Sequence, residues 1–545
     1  MRNAQRTVLG VDVSTQSLSG VLLHCASGAL QWERSLAYRD DPRLRGFGIE
    51  DDSLILPPRE AGEAEQPPRL FIAALDALFG DLKASGIDAA AIAAINCAGQ
   101  QHGHVYLNSA ADAAFARLRA ADSAGESLLA ILNDSFAYAG APIWKTANTV
   151  AEAAHIRQAV GGRAAIIERS GSDNPLRFSA NALRKLALRD PAAYAATRHI
   201  VQLSSLVPAI LAGDCMVPLD FGNACGTGLM NYRARDWDAI LLQATAGDLP
   251  GGARALAEKL PPIVHPLTVC GSAAAYFQNK YGLAADCRII VGSGDNPQSK
   301  VLASGDLLSL GTSFVYMISS PDGGVDRSGM ANAMYDGLGR PFNFGCRSNG
   351  ALVWDRLRGR YGLGARDYAS SEAALTETAP GRLMRFWHPD AESFPVVAAN
   401  PELVRVDCGP INFACDFAAL VDSSLGLMYR CGQKIAGPAA GDARQAMSVC
   451  GGPSASAGVM RRIAAIWNRP AVQAGQAGAA LGAVLAAAVA LAPASQREAG
   501  ADRLRQVILR GKTVFQPDPT MVQAYHAPGA YLDQMEAAFA RLRNL

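Results

Sequence analysis

The apolar positions of the chain follow two alternating periodicities. The segment Thr7 to Val13 is a β-rich apolar run, and Leu18 to Leu23 follows after a short polar stretch, which predicts a strand, a turn and a returning strand. After Pro67 the apolar residues take helical spacing, and the run Ala91 to Ile95 is strand-like again. Because strands and helices alternate, we expect an α/β fold.

The second half of the chain repeats the opening pattern. Arg288 to Val291 and Leu307 to Met317 have the composition of strands broken by glycine turns, so a second α/β unit is expected to begin near Ala284. This repetition of the strand and turn pattern predicts two similar domains, residues 1–284 and 285–545. If the two domains face each other, a ligand would bind in the cleft between them.

Two other segments carry a structural prediction but no chemistry. The Ala-, Ser- and Asp-rich stretch from Asn108 to Gly140 has weak helical periodicity and is interpreted as a peripheral insertion outside the core. The run Ala477 to Ala492 is mostly Ala and Gly and falls short of the roughly 18 to 20 residues of a membrane span, so it predicts a buried helix. The apolar run Val8 to Val11 is too short for a secretory signal.

Composition narrows the class of protein. With 545 residues, of which 50% are apolar, the chain can fill more than one core, and 50 basic against 49 acidic residues leave no field that would favour nucleic acid. A small molecule is the expected partner. The 11 cysteines include no Cys-x-x-Cys pair, which argues against a disulfide framework and against a zinc site. A soluble protein of the reducing cytoplasm fits best.

Three turns have the residue types that bind phosphate groups. Asp12 to Ser17 offers backbone N–H groups, hydroxyls and one carboxylate at a strand end, which suits a phosphate tail and its magnesium ion. Ser309 to Ser313 repeats the pattern with Gly311 and Thr312, although either turn could be a plain hairpin. Val449 to Ser456 places two glycines before a helix, which suits a nucleotide or a simple glycine-rich helix entry.

Two further loops follow predicted strands and suit a polyol. Gln101 and His102 come directly after the strand-like run that ends at Asn96, and in α/β folds ligands bind at that end of the strands. Nothing in the spacing around His102 supports zinc binding. Asp295 and Asn296 follow the next apolar strand and offer acceptors and donors to sugar hydroxyls.

Asp220, in the segment Pro218 to Thr227, is the residue that we expect to act as the base of a kinase. The tripeptide Asp-Phe-Gly does not indicate a protein kinase, because the chain has no His-Arg-Asp loop and no Val-Ala-Ile-Lys strand. There is also no Gly-x-Gly-x-x-Gly opening a βαβ unit and no Gly-x-x-x-x-Gly-Lys-Ser/Thr loop. A nucleotide would therefore be bound by another architecture.

The order of these motifs resembles that of the FGGY family of carbohydrate kinases, and the resemblance spans nearly the whole chain. It implies two actin-like, ribonuclease-H-like domains that close on a ligand cleft, an N-terminal one for sugar and a C-terminal one for nucleotide. It also implies ATP-dependent phosphorylation of a ketopentose, with D-xylulose at O5 as the best single expectation, and Mg²⁺ as the metal.

The resemblance assigns roles to individual residues. The catalytic base is Asp220, and Mg²⁺ is bound by Asp12 and Asp220. The residues implied in sugar binding are Gln101, His102, Arg177, Asp220, Asp295 and Asn296. Those implied in ATP binding are Asp12, Ser14, Thr15, Gln16, Gly311, Thr312, Gly451, Gly452 and Ser456. Sugar and ATP are the implied partners, without nucleic acid or membrane, and a homodimer is a candidate assembly.

Two departures from the family pattern bear on the substrate. Members with this substrate carry an acidic residue two positions after a tryptophan, whereas this chain has Lys145 and Thr146 after Trp144. Ser19 replaces a usual Lys or Arg of the first motif. These changes leave open a kinase for another ketose or a polyol, such as a ribulose-type sugar. An actin-fold ATPase of the chaperone or filament class, or a silent binding module, also remains open.

Overall fold

Two seven-stranded sheets organise the chain. The computed structural model describes residues 6–436, 445–475 and 478–543. The strands of the described residues, β1 to β26 in chain order, are Thr7–Val13, Ser17–His24, Leu30–Ala37, Glu65–Gln66, Ile92–Gly99, His104–Leu107, Ala141–Pro142, His199–Gln202, Leu219–Asp220, Met230–Asn231, Asp236–Trp237, Ile263–Val264, Val269–Ser272, Arg288–Ile290, Ser293–Gly294, Leu307–Leu310, Phe314–Ser319, Ala331–Tyr335, Pro341–Arg347, Arg385–His388, Glu392–Ser393, Val396–Val397, Asn400–Arg405, Met447–Cys450, Ala471–Gly475 and Val514–Phe515.

Helices connect and cover these strands. The α-helices of the described residues, α1 to α21 in chain order, are Pro68–Ala84, Ala110–Arg117, Leu128–Leu132, Val150–Ala159, Arg163–Ser170, Ser179–Arg189, Pro191–Ala196, Leu203–Ala212, Phe221–Ala224, Ala239–Ala246, Gly252–Lys259, Ala275–Tyr281, Asp295–Lys300, Ala351–Arg360, Tyr368–Glu377, Phe413–Ala436, Ala457–Trp467, Ala479–Ala490, Arg497–Ile508, Pro519–His526 and Tyr531–Arg543. The α/β class is confirmed.

The first sheet has the strand order β13-β14-β5-β1-β2-β3, and β15 also pairs with β5. β3, β2 and β1 form an antiparallel meander, β1, β5 and β14 are parallel, and β13 returns antiparallel. β1 and β5 are buried on both faces, which explains their nearly continuous apolar sequences.

The second sheet contains the order β19-β17-β16-β24-β25-β26, with β18 beyond β19. β19, β17 and β16 are antiparallel neighbours, β16, β24 and β25 are parallel, and β26 returns antiparallel. The sense of pairing from β19 to β26 therefore matches that from β3 to β13 step by step. This agreement confirms the internal repeat that the two strand-turn-strand segments predicted.

The chain folds into two compact units that differ from a simple division into halves. The first contains Met1–Leu302, Ala333–Arg340 and Gly478–Ile508, and the second contains Ala303–Asn332, Pro341–Ala477 and Leu509–Leu545. The sequence-based division after residue 284 falls inside the first unit, since the strand–helix segment that follows it pairs through β14 and β15 with β5.

The alanine-rich helix α18 shows why a late segment belongs to the first unit. A Cβ on Gly10 of β1 would lie 2.2 Å from the carbonyl oxygen of Ala480 and 2.6 Å from the nitrogen of Val484, so the helix packs directly on the strand backbone. The predicted buried helix is confirmed. No helix in the described ranges combines the length and the apolar character needed to cross a membrane.

The prediction that residues 108–140 form a peripheral insertion is wrong. Phe115, Leu118, Leu128 and Leu132 have exposures of 0–1% and belong to the same hydrophobic core as β1 and β5. The short helices α2 and α3 place one apolar face into this core. Their many alanines hid the pattern, because alanine occurs on both buried and exposed helix faces.

Candidate functional site

The carboxyl ends of three neighbouring strands of the first sheet meet at one edge. Asp12 near the end of β1 pairs with Ala98 of β5, and Gly294 at the end of β15 pairs with Gly99. The loop after β5 carries Gln101 and His102, as predicted, and Asp295 follows β15. The fold therefore brings the predicted Asp12, Gln101 and Asp295 to the edge where α/β folds bind ligands.

Asp295 is held by one of its two carboxylate oxygens. Its Oδ1 accepts hydrogen bonds from the backbone N–H of Gln101 at 3.2 Å, from the backbone N–H of Asn296 at 2.8 Å and from Asn296 Nδ2 at 3.1 Å. Asn296 Nδ2 also donates to Gln101 Oε1 at 3.1 Å. The residue is partly exposed. These contacts fix the carboxylate through Oδ1 and leave Oδ2 as its second acceptor.

Glycine is required where Gln101 packs against the strand before Asp295. A Cβ on Gly294 would lie 2.4 Å from Gln101 Cγ, closer than any non-bonded contact tolerates. Gln101 Nε2 is buried and has no hydrogen-bond partner among the described residues. A buried amide without a partner is costly. Its donor group is therefore suited to a ligand oxygen.

The carboxylates of Asp12 and Asp295 lie close together at this edge of the sheet, and their ionised forms are unfavourable there without a bound cation. Burial raises the pKa of Asp295 to about 6, against the lowering effect of the N–H donors of Asn296 and Gln101. Burial and, second, the charge of Asp295 raise the pKa of Asp12 well above its ordinary range. Asp12 Oδ1 is buried and has no hydrogen-bond partner among the described residues. A divalent cation would relieve both penalties, so Asp12 fits a ligand of a divalent metal ion.

His102 occupies a constrained position beside these groups. Its backbone has φ +68°, its ring stacks on Phe178 at 4.9 Å between centroids, and its Nδ1 lies 2.7 Å from the carbonyl oxygen of Gly226. Burial, followed by the positive charge of Arg177, lowers the His102 pKa to about 3. The ring is therefore neutral at physiological pH. With Nδ1 donating to Gly226, its Nε2 is an acceptor.

Asp220, the predicted base, lies in an enclosed environment. It is fully buried and caps helix α9, accepting from the backbone N–H of Gly222 at 2.8 Å and from that of Asn223 at 3.1 Å. Ser293 Oγ donates to its Oδ2 at 2.7 Å. Burial raises the pKa of Asp220 to about 7. Oδ2 thus accepts two hydrogen bonds inside the protein and Oδ1 accepts one, and the roles of Asp220 as base and as metal ligand stay predictions.

The turn after β1 contains residues that the sequence assigned to phosphate binding. Ser14 closes the turn on itself, with its N–H and Oγ donating to the Ser17 carbonyl at 3.0 and 2.8 Å. Thr15 Oγ1 donates to Gln100 Oε1 at 3.0 Å and accepts from Trp144 Nε1 at 2.8 Å, and Gln16 is exposed. The hydroxyls of Ser14 and Thr15 thus stabilise the turn.

The segment in which the chain departs from the family pattern contacts this turn. Trp144 is 44% exposed, lies on Thr15 and has Lys145 Nζ 5.7 Å from the centroid of its ring system. Thr146 is buried, and its hydroxyl donates to the Ala64 carbonyl at 2.9 Å. Thr146 is therefore a structural residue. Trp144 was missed as a site candidate, because its hydrogen bond to Thr15 links residues 129 positions apart.

In the second unit, two predicted phosphate motifs lie side by side. The backbone N–H of Gly311 donates to the Ser313 carbonyl at 3.0 Å within the β16–β17 turn that also holds Thr312. Gly451 has φ +93°, and a Cβ there would lie 2.1 Å from the Leu310 carbonyl oxygen. Gly452 faces open space within 4 Å. Gly451 thus lets its loop approach the backbone at the end of β16, and Gly452 leaves open space beside that contact.

Ser456 has a structural role at the start of α17. Its Oγ accepts from the backbone N–H of Val459 at 3.1 Å and donates to Glu372 Oε2 at 2.5 Å. Glu372 Oε1 accepts from the backbone N–H of Gly458 at 2.7 Å. Because the carboxylate of Glu372 already occupies this helix N-terminus, the geometry does not favour nucleotide binding by the Ser456 side chain.

Comparison with known proteins agrees with this architecture. Residues 133–301 match the FGGY family of carbohydrate kinases, N-terminal domain. The chain is 31% identical over 320 residues to the xylulose kinase of Mus musculus, which covers 57% of this chain and 54% of that protein. It is 30% identical over 319 residues to a probable D-xylulose kinase A of Aspergillus clavatus, which covers 57% and 53%. The chain thus matches about half the length of these curated relatives.

The fold extends over the full length of a solved structure. The crystal structure of xylulose kinase from Rhodospirillum rubrum superposes with a TM-score of 0.79 and 18% identity, covering 99% of each chain. At this identity the likeness establishes the fold. The predicted class, α/β with two actin-like domains, is therefore confirmed.

Proposed function

We propose that this chain, whose residues 133–301 match the N-terminal domain of the FGGY family of carbohydrate kinases, is a kinase of that family and transfers the γ-phosphoryl group of ATP to a hydroxyl of a ketopentose. D-Xylulose, with O5 as the acceptor, is the substrate that we propose first, because the curated relatives of mouse and Aspergillus clavatus carry the name xylulose or D-xylulose kinase. A kinase for another ketose is the alternative, to be distinguished by the substrate panel below.

The observation that carries the proposal is the state of the Asp295 carboxylate. One oxygen is fixed by three donors, and the residue is partly exposed. Its pKa of about 6 lies close to the operating pH of a general base, as does the pKa of about 7 of Asp220, so the accessible Oδ2 is what distinguishes Asp295. A sugar hydroxyl is a weak nucleophile and needs a carboxylate to accept its proton. We therefore propose Asp295 as the base, in place of Asp220.

The groups around Asp295 suit a polyhydroxylated acceptor. Gln101 Nε2 is a buried donor without a partner in the described part of the chain, and a sugar oxygen would satisfy it. His102 Nε2 is a neutral acceptor for a hydroxyl, because Nδ1 is committed to Gly226. Asn296 Nδ2 holds Gln101 and Asp295 in place, and Arg177 adds positive charge beside His102. In this proposal these residues orient the acceptor hydroxyl toward Asp295 Oδ2.

Asp12 is the residue that would hold the magnesium ion. Its orphaned, buried Oδ1 and its raised pKa fit a cation ligand. When bound, Mg²⁺ supplies positive charge to the phosphate oxygens of ATP. For the nucleotide we propose the glycine loops of the second unit, which hold Gly311, Thr312, Gly451 and Gly452, because a Cβ on Gly452 would meet nothing within 4 Å and the loop there leaves room for a ligand.

The test is sugar-stimulated ADP release by the purified chain with Mg-ATP against pentuloses, hexuloses and polyols. Asp295→Asn, purified in parallel, controls for contaminating kinases. We expect the highest kcat/KM with D-xylulose and a product phosphorylated at O5 by ³¹P and ¹³C NMR. A higher kcat/KM with another ketose would identify that ketose, rather than D-xylulose, as the preferred substrate. ATP binding without any sugar-stimulated release would instead support the chaperone or binding-module class.

A further inference from the structure

We propose that Asp112, His199 and Cys215 form a binding site for a divalent transition-metal ion of the zinc type. Their donor atoms all lie within 4.8 Å of one another in the first unit. His199 and Cys215 are each 5% exposed, whereas the Asp112 side chain is 50% exposed. The cluster thus has two buried ligands and one open side. The proposal does not depend on the kinase assignment.

The topology of β6 and β8 brings two of the ligands together. β6 and β8 are antiparallel, with Leu107 at the end of β6 paired with His199 at the start of β8. Helix α2 begins at Ala110, three residues after Leu107, and Asp112 lies in its first turn. Asp112 Oδ1 and His199 Nε2 are 2.8 Å apart as a result.

A tight helix ending brings the third ligand to the same place. Helix α8 ends at Ala212 and is capped by Gly213, which has φ +66° and packs so closely on α2 that a Cβ would lie 3.0 Å from the Phe115 carbonyl oxygen. The next turn is fixed by the Met216 N–H, which donates to Asp214 Oδ1 at 2.9 Å. Cys215 Sγ then lies 3.1 Å from Asp112 Oδ1.

The hydrogen bonds of the cluster show where a cation would bind. Asp112 Oδ1 accepts from both His199 Nε2–H and Cys215 Sγ–H, so two protons point at one oxygen. A divalent ion among the three atoms displaces the thiol proton to solvent, giving a thiolate, and the neutral imidazole transfers its single N–H proton from Nε2 to Nδ1, which frees the Nε2 lone pair as a ligand. His199 Nδ1 has no other partner among the described residues. The ring is therefore held by Asp112 rather than by a wider network.

The ligand set selects the class of metal. One thiolate, one imidazole and one carboxylate match Zn²⁺ and its substitute Co²⁺, whereas Mg²⁺ and Ca²⁺ prefer oxygen ligands alone. Water would fill the fourth position on the exposed side of Asp112. Arg198 Nε is 4.0 Å from Asp112 Oδ2, the oxygen on the other side of the carboxylate, and its side chain is 62% exposed. It can turn away from the cluster.

This site is separate from the candidate active site. His104, two residues after His102, pairs with Gln202 at one end of the β6–β8 ladder, and Leu107 pairs with His199 at the other end. Three residue steps separate the ends, which is about 10 Å of strand. A metal at His199 would therefore link α2, β8 and the turn after α8 without contacting the proposed sugar-binding residues.

The experiment uses the full chain after chelator treatment and dialysis. Co²⁺ is titrated in while the thiolate-to-cobalt charge-transfer absorption is recorded, and zinc content is measured after equilibrium dialysis. We expect one metal ion per chain and the charge-transfer band in the wild type. Cys215→Ser should lose the band and His199→Gln should weaken Co²⁺ binding at least about tenfold. Cys408→Ser, which removes an exposed cysteine outside the cluster, should keep both.

A second measurement does not depend on how the variants fold. X-ray absorption of the zinc-loaded wild type should show one sulfur at about 2.3 Å and nitrogen or oxygen ligands at about 2.0 Å. Absence of a sulfur scatterer, failure to retain zinc, or loss of the cobalt band in Cys408→Ser but not in Cys215→Ser would each overturn the proposal. Unchanged kcat in Cys215→Ser with loss of the band would establish a structural rather than catalytic metal.

Discussion

Asp220 and Asp295 both stand at the end of a short strand, where a short helix begins, yet their side chains differ in what they can do. Asp220 caps α9 with both oxygens and is fully buried. Asp295 opens α13, uses Oδ1 alone for internal contacts and is partly exposed. The comparison teaches that two carboxylates in similar glycine-rich motifs can differ in whether an oxygen remains available to a ligand, which the motif alone does not show.

The two positions are also joined physically. Ser293 Oγ donates to Asp220 Oδ2, and Ser293 is the first residue of β15, two positions before Asp295. Asp220 thus holds the strand that presents Asp295. If Asp295 is the base, as we propose, this contact makes Asp220 a positioning residue, and the sequence pattern alone does not separate that role from a catalytic one.

The largest expected effect is that of Asp295→Asn. The amide oxygen can keep the Oδ1 contacts, so the fold should remain, while the proton acceptor at Oδ2 is lost. Loss of general-base catalysis lowers kcat by about 10²–10⁴-fold. Steady-state ADP release and thermal unfolding measure the two effects. Activity within a few fold of wild type would remove Asp295 from the base role.

The second prediction concerns pH. Since Asp295 must be ionised to accept a proton and its pKa is raised to about 6, kcat/KM should fall below pH 6, by about tenfold at pH 5. Because Asp12 and Asp295 interact, the apparent pKa belongs to the pair. His102, with a pKa of about 3, should not titrate in this range. A flat profile from pH 5 to 8 would contradict the assignment.

Asp220→Asn should affect stability more than catalysis. The amide nitrogen replaces an acceptor that faces N–H or O–H donors, which costs about 1–3 kcal/mol of the free energy of unfolding. We expect kcat within about threefold of wild type and the same acid limb in the pH profile. Urea denaturation measures the loss, with the exposed Asp236→Asn as control. A kcat loss as large as that of Asp295→Asn would restore Asp220 as the base.

Much of the fold and part of the site could be predicted from the sequence. The strand-turn-strand patterns at Val8–Leu23 and Leu307–Met317 could be recognised in a single sequence, because strands and turns are determined by residues that are close along the chain. Gln101 and Asp295 were found because the ends of parallel strands lie at one edge. The helical core of residues 108–140 was missed, because alanine does not distinguish faces.

The roles of Asp220 and Ser456 depend on contacts between distant segments. Ser293 lies 73 positions from Asp220, and Glu372 lies 84 positions from Ser456. No local pattern predicts that these side chains meet. The same reason hid the cluster of Asp112, His199 and Cys215, whose spacing resembles no metal motif and whose geometry arises from β6–β8 pairing and the α8 ending.

The smallest expected effect is that of Ser293→Ala, which tests whether Asp220 positions Asp295 through Ser293. Ser293→Ala removes the hydroxyl that donates to Asp220 Oδ2, while the Gly222 N–H still donates to that oxygen. We expect a loss of about 1 kcal/mol in unfolding free energy and a kcat reduction of less than threefold at unchanged KM. Ser299→Ala, on the same helix as Asp295 and partly exposed, should change neither. If Ser293→Ala leaves both kcat and stability at wild-type values, Asp220 does not position Asp295 through Ser293, and the backbone of β15 alone must hold the base.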